Sequence, residues 1–258
     1  MRPLLFSSCF TCIFLFMELP SSGQTHMYLD DQFISASQPI PAKRKGIGAV
    51  GKYEFGPYKI ISGKEGWTTT KQKSEFLSGD TKIQSKTKQS FVFTGFEADT
   101  VYANVTVSSV TQIEEHYGFL FRTLTNWSNQ EITESSETYI AGFDTPYDTS
   151  AWNLILVYPV MGEIAGQIQP DQLELFHGIL TNGQIQIAIR PEFRWDNGKP
   201  STLLKPVEGY KFILDEETIA AVQVMPVNKM TVWIRSDLQN DLKLILAAGS
   251  AAMMVRSL

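Results

Sequence analysis

Residues 242–255 read LKLILAAGSAAMMV, an apolar run interrupted only by Lys243, Gly249 and Ser250. A helix that is apolar on all sides is surrounded either by other parts of the protein or by a membrane. A membrane span needs about 20 apolar residues, and this run is shorter. The sequence therefore predicts a helix enclosed by the protein itself, with a membrane tail as the alternative.

The residues on either side set the limits of this helix. Ser236 and Gln239 have the spacing of a capping box, in which each side chain bonds the backbone N–H of the other residue. Arg256 would lie at the negative end of the helix dipole. Together these signals predict a helix over residues 237–256.

Most of the preceding chain has the pattern of β-strands. TVYANVTVSSV (100–110) alternates apolar and polar residues, which is typical of a half-buried strand. WNLILVYPV (152–160) is a nearly continuous apolar run, which favours a strand covered on both faces. Asn182-Gly183, between two alternating flanks, predicts a type I′ hairpin turn. About ten to thirteen short strands indicate a mostly β protein, an antiparallel barrel or sandwich with the C-terminal helix packed in its core.

The first residues predict export. Residues 1–23 contain Arg2, an apolar run and then small residues, the order of a secretory signal peptide. The run is short for a membrane span, so cleavage is favoured over an uncleaved anchor. Cleavage would also remove Cys9 and Cys12, which leaves no thiolate metal site and no disulfide in the mature chain. An exported protein without disulfides is expected in the periplasm or cell envelope of a bacterium, or as a protein that the bacterium secretes.

The remaining organisation is simple. Residues 24–50 mix Ser, Pro, Lys and Gly without periodicity, which predicts a flexible N-terminal arm. Residues 51–258 are then expected to form a single β domain that ends in the helix.

The charge is unevenly distributed along a chain of net charge −5. Residues 42–88 hold eleven Lys or Arg and four acids, whereas residues 97–148 hold one Arg and nine acids. Lysine-rich segments can bind anionic surfaces such as phospholipid headgroups or acidic glycans. The alternative, which the sequence favours, is that the two segments neutralise each other within one fold and that the lysines protect strand edges. No nucleic-acid partner is predicted.

Three stretches near the end carry a resemblance to a known family. GYKFILDEETIAAVQV (209–224), MTVWIR (230–235) and the apolar tail resemble the end of tubby-like domains, the group that includes scramblase and LURP-one proteins. The resemblance implies a closed barrel that wraps a central hydrophobic helix formed by the C-terminus. It implies no binding residue, because tubby-like domains are typically intracellular, whereas this chain begins with an export pattern and is acidic overall.

Few residues have the pattern of a catalytic or metal site. The chain has no G-x-S-x-G or H-E-x-x-H motif, and its three histidines are far apart in sequence, so neither a metal nor a cofactor is predicted. Two carboxylate pairs lie beside aromatic residues, and these candidate ligand-binding residues are Glu192, Trp195, Asp196, Asp144 and Asp148. Such pairs can hydrolyse a glycosidic bond or can simply form turns, and turns are favoured.

The sequence-based hypothesis is therefore an exported, non-catalytic β-domain protein that acts in ligand binding, surface interaction or envelope assembly. The alternatives are a carbohydrate-active hydrolase that uses a carboxylate pair and a barrel that binds lipid headgroups. The partner is unknown, with a glycan or an anionic lipid as the candidates.

Overall fold

The computed structural model describes residues 26–46, 50, 52–74, 80–95, 99–116, 129–146, 150–160, 176–197 and 207–256. The expected signal segment, including Cys9 and Cys12, lies outside these ranges. In the described ranges, no helix combines the length and hydropathy that a membrane crossing requires.

Two helices and thirteen strands make up the described secondary structure, apart from one short 3₁₀ turn. The helices are α1 (Asp31–Ala36) and α2 (Asn240–Arg256). The strands are β1 (Ser37–Pro41), β2 (Lys43–Lys45), β3 (Lys52–Phe55), β4 (Tyr58–Ser74), β5 (Asp80–Thr94), β6 (Thr100–His116), β7 (Asn129–Asp144), β8 (Trp152–Val160), β9 (His177–Thr181), β10 (Gln186–Glu192), β11 (Gly209–Leu214), β12 (Glu217–Gln223) and β13 (Thr231–Arg235).

All strands belong to one antiparallel sheet that curls into a nearly closed barrel. From β2 to β13 each strand pairs with the next one along the chain, and β1 pairs with β13. Only Ala42 separates β1 from β2, so residues 37–45 connect the two ends of the sheet. The backbone N–H of Ala42 also donates to the carbonyl of Met230 at 2.9 Å. The prediction of a mostly β protein, an antiparallel barrel or sandwich with a C-terminal helix, is confirmed, and the barrel is the form observed.

Helix α2 lies in the barrel core. All residues from Leu244 to Val255 are buried, and α2 contacts β4, β6, β7, β12 and β13, which come from different parts of the barrel wall. The hydroxyl of Tyr139 donates to the carbonyl of Ala252 at 2.8 Å, and that of Tyr53 donates to the carbonyl of Met254 at 3.2 Å. The helix is therefore enclosed by protein, as its all-apolar sequence predicts.

The start of α2 differs from the prediction. The helix begins at Asn240, and the hydroxyl of Ser236 donates to the carbonyl of Ala36 at 3.1 Å instead of capping the helix. The amine of Lys243 donates to the carbonyl of Ser236 at 2.6 Å. The predicted capping box is wrong because Ser236 connects β13 to the N-terminal segment.

That N-terminal segment is not a flexible arm in its described part, residues 26–46. Strand β1 pairs along its whole length with β13. Met27, Leu29 and Phe33 are buried against Ala221 and Trp233, on the side of β12 and β13 away from α2. This second apolar cluster explains why consecutive residues of β12 and β13 are buried: both faces of these two strands are covered.

Two local predictions are also corrected. Of the Asn182-Gly183 pair only Gly183 has a positive φ, so the turn is not type I′; the side chain of Asn182 accepts from the N–H groups of Gln184 and Ile185 instead. Two consecutive positive φ values occur at Asp215 and Glu216, between β11 and β12. In the described part of β8, burial alternates instead of extending to both faces.

Strands β4 to β7 are much longer than the short strands that the sequence predicts, with 15 to 17 residues each. Their barrel portions are buried, as at Tyr58, Ile60, Phe91 and Phe93. Beyond the barrel the same strands continue with exposed side chains, and every residue of β4 from 61 to 73 is exposed. The β4–β5 hairpin therefore extends away from the packed core.

Candidate anion-binding surface

The first candidate site residue, Glu192, is buried, and its carboxylate has several hydrogen-bond and ion-pair partners. Its carboxylate accepts from Nε of Arg194 at 2.9 Å and from Nζ of Lys211 at 2.8 Å. The backbone N–H groups of Phe193 and Arg194 also donate to it. Both cations lie over the ring of Tyr28, at 4.2 Å for Arg194 and 4.9 Å for Lys211. Glu192 therefore links β10, β11 and the N-terminal segment.

The electrostatics of Glu192 do not suit a general acid. Burial by itself raises the pKa of the carboxyl, but hydrogen bonds from Arg194 and Lys211 outweigh it and hold the pKa below its usual value. A glycosidase acid instead needs a raised pKa so that it keeps its proton near neutral pH. Glu192 is thus an ionised structural carboxylate.

Trp195 and Asp196 attach the N-terminal segment to the barrel. Trp195 is half-buried and forms an isolated β-bridge with Met27. The side chain of Asp196 accepts from the N–H of His26 at 3.3 Å, while the N–H of Asp196 donates to the carbonyl of His26 at 2.8 Å. One alternative from the sequence was a turn with a packed tryptophan. No local sequence pattern indicated that the partners of these residues lie about 170 residues earlier in the chain.

The second carboxylate pair is far from the first. Asp144 is exposed at the end of β7, whereas Glu192 ends β10. Strands β7 and β10 are antiparallel in the sheet, so Asp144 and Glu192 lie at opposite ends of the barrel. Asp148 lies outside the described residues. Within the described ranges, no cluster of His, Cys, Asp and Glu has the geometry to hold a metal ion.

The lysine-rich segment forms the most distinctive surface. On β5, Phe91 and Phe93 are buried in the barrel, and the alternation of a strand places the even-numbered residues on the outward face. The β4–β5 register assigns residues of β4 to the same outward face. We call the lysines on it the lysine face: Lys59, Lys64, Lys71 and Lys73 of β4, and Lys82, Lys86 and Lys88 of β5. All of them are exposed.

These lysines follow one another along the hairpin. Lys59 lies opposite Thr94, and Lys64 lies opposite Ser90. Lys88 and Lys86 then occupy the next two outward positions of β5. Further out, Lys71 lies opposite Gln84, and Lys73 lies opposite Lys82. Every outward position along the hairpin, from the pair Lys59–Thr94 to the pair Lys73–Lys82, contains a lysine except the pair Ser62–Val92.

Directly beside Lys82 to Lys88 of the lysine face, the register places uncharged residues of β6. The residues of β6 opposite Lys88, Lys86, Gln84 and Lys82 are Thr106, Ser108, Val110 and Gln112, all uncharged. Of the acids in residues 97–148, Glu137 pairs instead with Arg256 at the end of α2, at 2.6 Å.

Edge protection accounts for only part of the lysine face. In the described register β3 covers only Tyr58 and Lys59 of β4, so the rest of β4 is an open edge where lysines are common. Strand β5 lies between β4 and β6 and has no open edge, yet it contributes Lys82, Lys86 and Lys88. Edge protection therefore does not explain the three lysines of β5.

At the barrel end, the basic surface widens and is partly neutralised. Lys43 and Lys59 lie opposite Glu54 on its two sides, and Lys45 forms an ion pair with Glu54. The hydrogen bond from Lys45 lowers the pKa of the Glu54 carboxyl. Glu54 therefore balances part of the positive charge at this end of the hairpin.

A bulge places an exposed tryptophan beside the lysines. Glu65 pairs with Gln89 and Thr68 with Thr87, so Gly66 and Trp67 together lie opposite the single residue Lys88. A Cβ atom at residue 66 would collide with the carbonyl oxygen of Lys88, which explains the glycine. The side chain of Trp67 is 92% exposed.

Comparison with known proteins does not assign a function to this surface. No family model, no curated protein and no solved structure matches the chain. The inference of function therefore rests on the geometry of the chain itself.

Proposed function

We propose that this is an exported, non-catalytic β-barrel protein that binds an anionic ligand through the lysine face. The observation that carries the proposal is the run of exposed lysines on one face of the β4–β5 hairpin, beside the uncharged residues of β6. Clustered charge of one sign raises the local concentration of oppositely charged ligands and speeds their association.

Two features from the sequence belong to this proposal. The signal-peptide pattern of residues 1–23 supports export to a periplasm, an envelope or the exterior of the cell. The buried C-terminal helix inside an antiparallel barrel supports kinship with tubby-like domains.

Binding is better supported than hydrolysis. The most buried of the candidate carboxylates, Glu192, is held ionised by Arg194 and Lys211. Asp144, the described carboxylate of the second pair, lies at the opposite end of the barrel. The lowered pKa of Glu192 does not suit a proton donor.

Charge reversal on the lysine face tests the proposal. The variant Lys71→Glu with Lys86→Glu should bind dextran sulfate and phosphatidylserine vesicles much more weakly than the unmodified protein. Binding by the unmodified protein should itself disappear between low salt and about 0.5 M salt, because exposed charges are then screened over a few ångströms.

The matched control is Arg190→Glu with Lys229→Glu, which changes the net charge equally at two exposed sites away from the hairpin. This control should retain binding. Equal losses in both double variants, or no salt-dependent binding to either anionic probe, would contradict the proposal.

A further inference from the structure

We infer that the ligand of the lysine face is a linear acidic polysaccharide, which lies along the β4–β5 hairpin and packs sugar rings on Trp67 and Tyr102. This inference rests on the proposed function and specifies its ligand. It follows from the length, the width and the aromatic residues of the lysine face.

The length of the lysine face fits a polymer. Lys59 lies opposite Thr94 and Lys73 lies opposite Lys82, so the lysines span the strand from residue 94 to residue 82 of β5. At about 3.3 Å per residue this is roughly 40 Å, with outward positions about 6.6 Å apart. A small anion can contact only neighbouring lysines. A chain with a charge on successive sugars can contact them all.

The width of the lysine face is that of a line. From Lys64 towards the end of the hairpin that is away from the barrel, only β4 and β5 carry lysines. The adjacent residues of β6 are uncharged. A membrane presents charge in two dimensions and would gain little from a single row. The face also contains lysine without arginine. Lysine acts as a compact point charge, whereas arginine favours the bidentate geometry with which phosphates are bound.

Exposed aromatic residues occur at two points along this line. Trp67 lies in the bulge opposite Lys88. Tyr102 lies opposite Val92, beside the one outward pair without a lysine, and its side chain is 57% exposed. Aromatic rings provide broad apolar surfaces on which the apolar face of a sugar can pack.

The surface around Tyr102 has further groups that suit a sugar. An open groove of about 430 Å³ is lined there by Ser62, Lys64, Ser90 and Val92 together with Tyr102. Hydroxyls, an ammonium group and an aromatic ring thus meet at the position where the row of lysines is interrupted. Single-stranded nucleic acids, by contrast, are bound on aromatic residues that stack successive bases.

The test measures binding of the full chain to dextran sulfate fragments of graded length, with uncharged dextran as the control polymer. Affinity should rise with fragment length and level off once the fragment is as long as the lysine face. Uncharged dextran should not bind.

Two variants separate the charges from the aromatic contact. Trp67→Ala should lower the affinity for dextran sulfate by up to about tenfold and leave its salt dependence unchanged, because an apolar contact is lost. Lys71→Glu with Lys86→Glu should lower both the affinity and the salt dependence, because fewer counterions are displaced. Ile185→Ala, at an exposed residue outside the hairpin, is the matched control for Trp67→Ala and should change neither quantity.

Other probes decide between this ligand and its competitors. Tighter binding to phosphatidylserine vesicles or to oligothymidylate than to dextran sulfate would overturn the inference but leave the proposed anion binding intact. Affinity that does not depend on fragment length, or that Trp67→Ala leaves unchanged, would overturn it as well. Binding to none of these anionic probes would overturn both the inference and the proposed function.

Discussion

At the scale of single residues, Glu192 links β10, β11 and the N-terminal segment. Its carboxylate joins Arg194, two residues beyond β10, to Lys211 on β11, and both cations cover the ring of Tyr28. A buried carboxylate is stable only when its charge is matched by such partners. The same cations that stabilise the charge remove Glu192 from acid–base chemistry.

The first prediction concerns this carboxylate. Glu192→Gln should lower the free energy of unfolding at pH 7 by about 1–3 kcal/mol, because Lys211 and Arg194 lose their charged partner. The folded-state pKa of Glu192 lies below its unfolded value. Its contribution is therefore complete above the unfolded pKa of about 4.3 and is lost as the pH falls through the folded pKa.

Urea unfolding from pH 7 to pH 3 measures this effect. The difference between the unmodified protein and Glu192→Gln should narrow as the pH falls below about 4.3. Asp144→Asn, at the exposed candidate carboxylate, is the control and should change stability by less than about 0.5 kcal/mol. A difference for Glu192→Gln that stays constant with pH would contradict the assigned role.

At the level of elements, α2 organises the barrel. Its residues from Leu244 to Val255 are buried by strands from different parts of the wall, and small residues allow these strands to approach. Arg256 at its end pairs with Glu137 of β7, and its charge is also favourable at the negative end of the helix dipole. The helix thus fills the barrel, and the ion pair of Arg256 with Glu137 fixes the position of the helix along the barrel axis.

The second prediction compares two substitutions in α2. Ala251→Leu should destabilise the protein by about 1–3 kcal/mol, because a fully buried alanine leaves no room for a larger side chain. Gly249→Ala should be neutral or should stabilise by up to about 1 kcal/mol. A Cβ there would lie 3.4 Å from the ring of Phe212, an ordinary contact, and alanine favours the helix.

Thermal or urea unfolding of both variants measures these changes. If α2 were a membrane tail outside the folded domain, both substitutions would leave the unfolding transition unchanged. Equal stabilities for Ala251→Leu and Gly249→Ala would therefore contradict the enclosed position of the helix.

At the level of the whole molecule, the structure combines a packed barrel with a long exposed hairpin. The barrel has α2 inside and the N-terminal cluster of Met27, Leu29 and Phe33 outside β12 and β13. The outer part of β4 has no buried residue from 61 to 73. Stability and the proposed binding are therefore carried by different parts of the same sheet.

The third prediction is a gradient of backbone protection. Amides of residues 61–73 should exchange with solvent through openings of lower free energy than amides of β13 or α2, because few buried apolar contacts stabilise the outer hairpin. Hydrogen exchange followed by mass spectrometry at pH 7 measures this difference. Equal protection in the hairpin and in α2 would show that the hairpin opens only with the barrel.

The sequence by itself determined the fold class and the burial of α2. The apolar run of residues 242–255 has no polar face and is short for a membrane, so its composition and length already favour enclosure by protein over a membrane tail. Alternating strands and polar turns likewise indicate an antiparallel β protein. These signals are local, because hydrophobic periodicity is set by neighbours along the chain.

The N-terminal segment and the role of Glu192 depended on the tertiary structure. Met27 and Phe33 are buried by Trp233, and Glu192 is neutralised in part by Lys211. No local sequence pattern around residue 27 or residue 192 predicts these partners. A segment rich in Ser, Pro and Lys is ordered here because distant strands offer it an apolar surface.

The lysine face depended on the tertiary structure for a different reason. Simple alternation along β4 would place Lys64 on the face opposite to Lys59 and Lys71, because side chains change face at every residue. The β4–β5 register shifts between Ile60 and Ser62 and again between Glu65 and Thr68. Each extra bulge residue reverses the alternation, so all these lysines point the same way. Composition determined how many lysines the segment has, and the paired strand decided that they share one face.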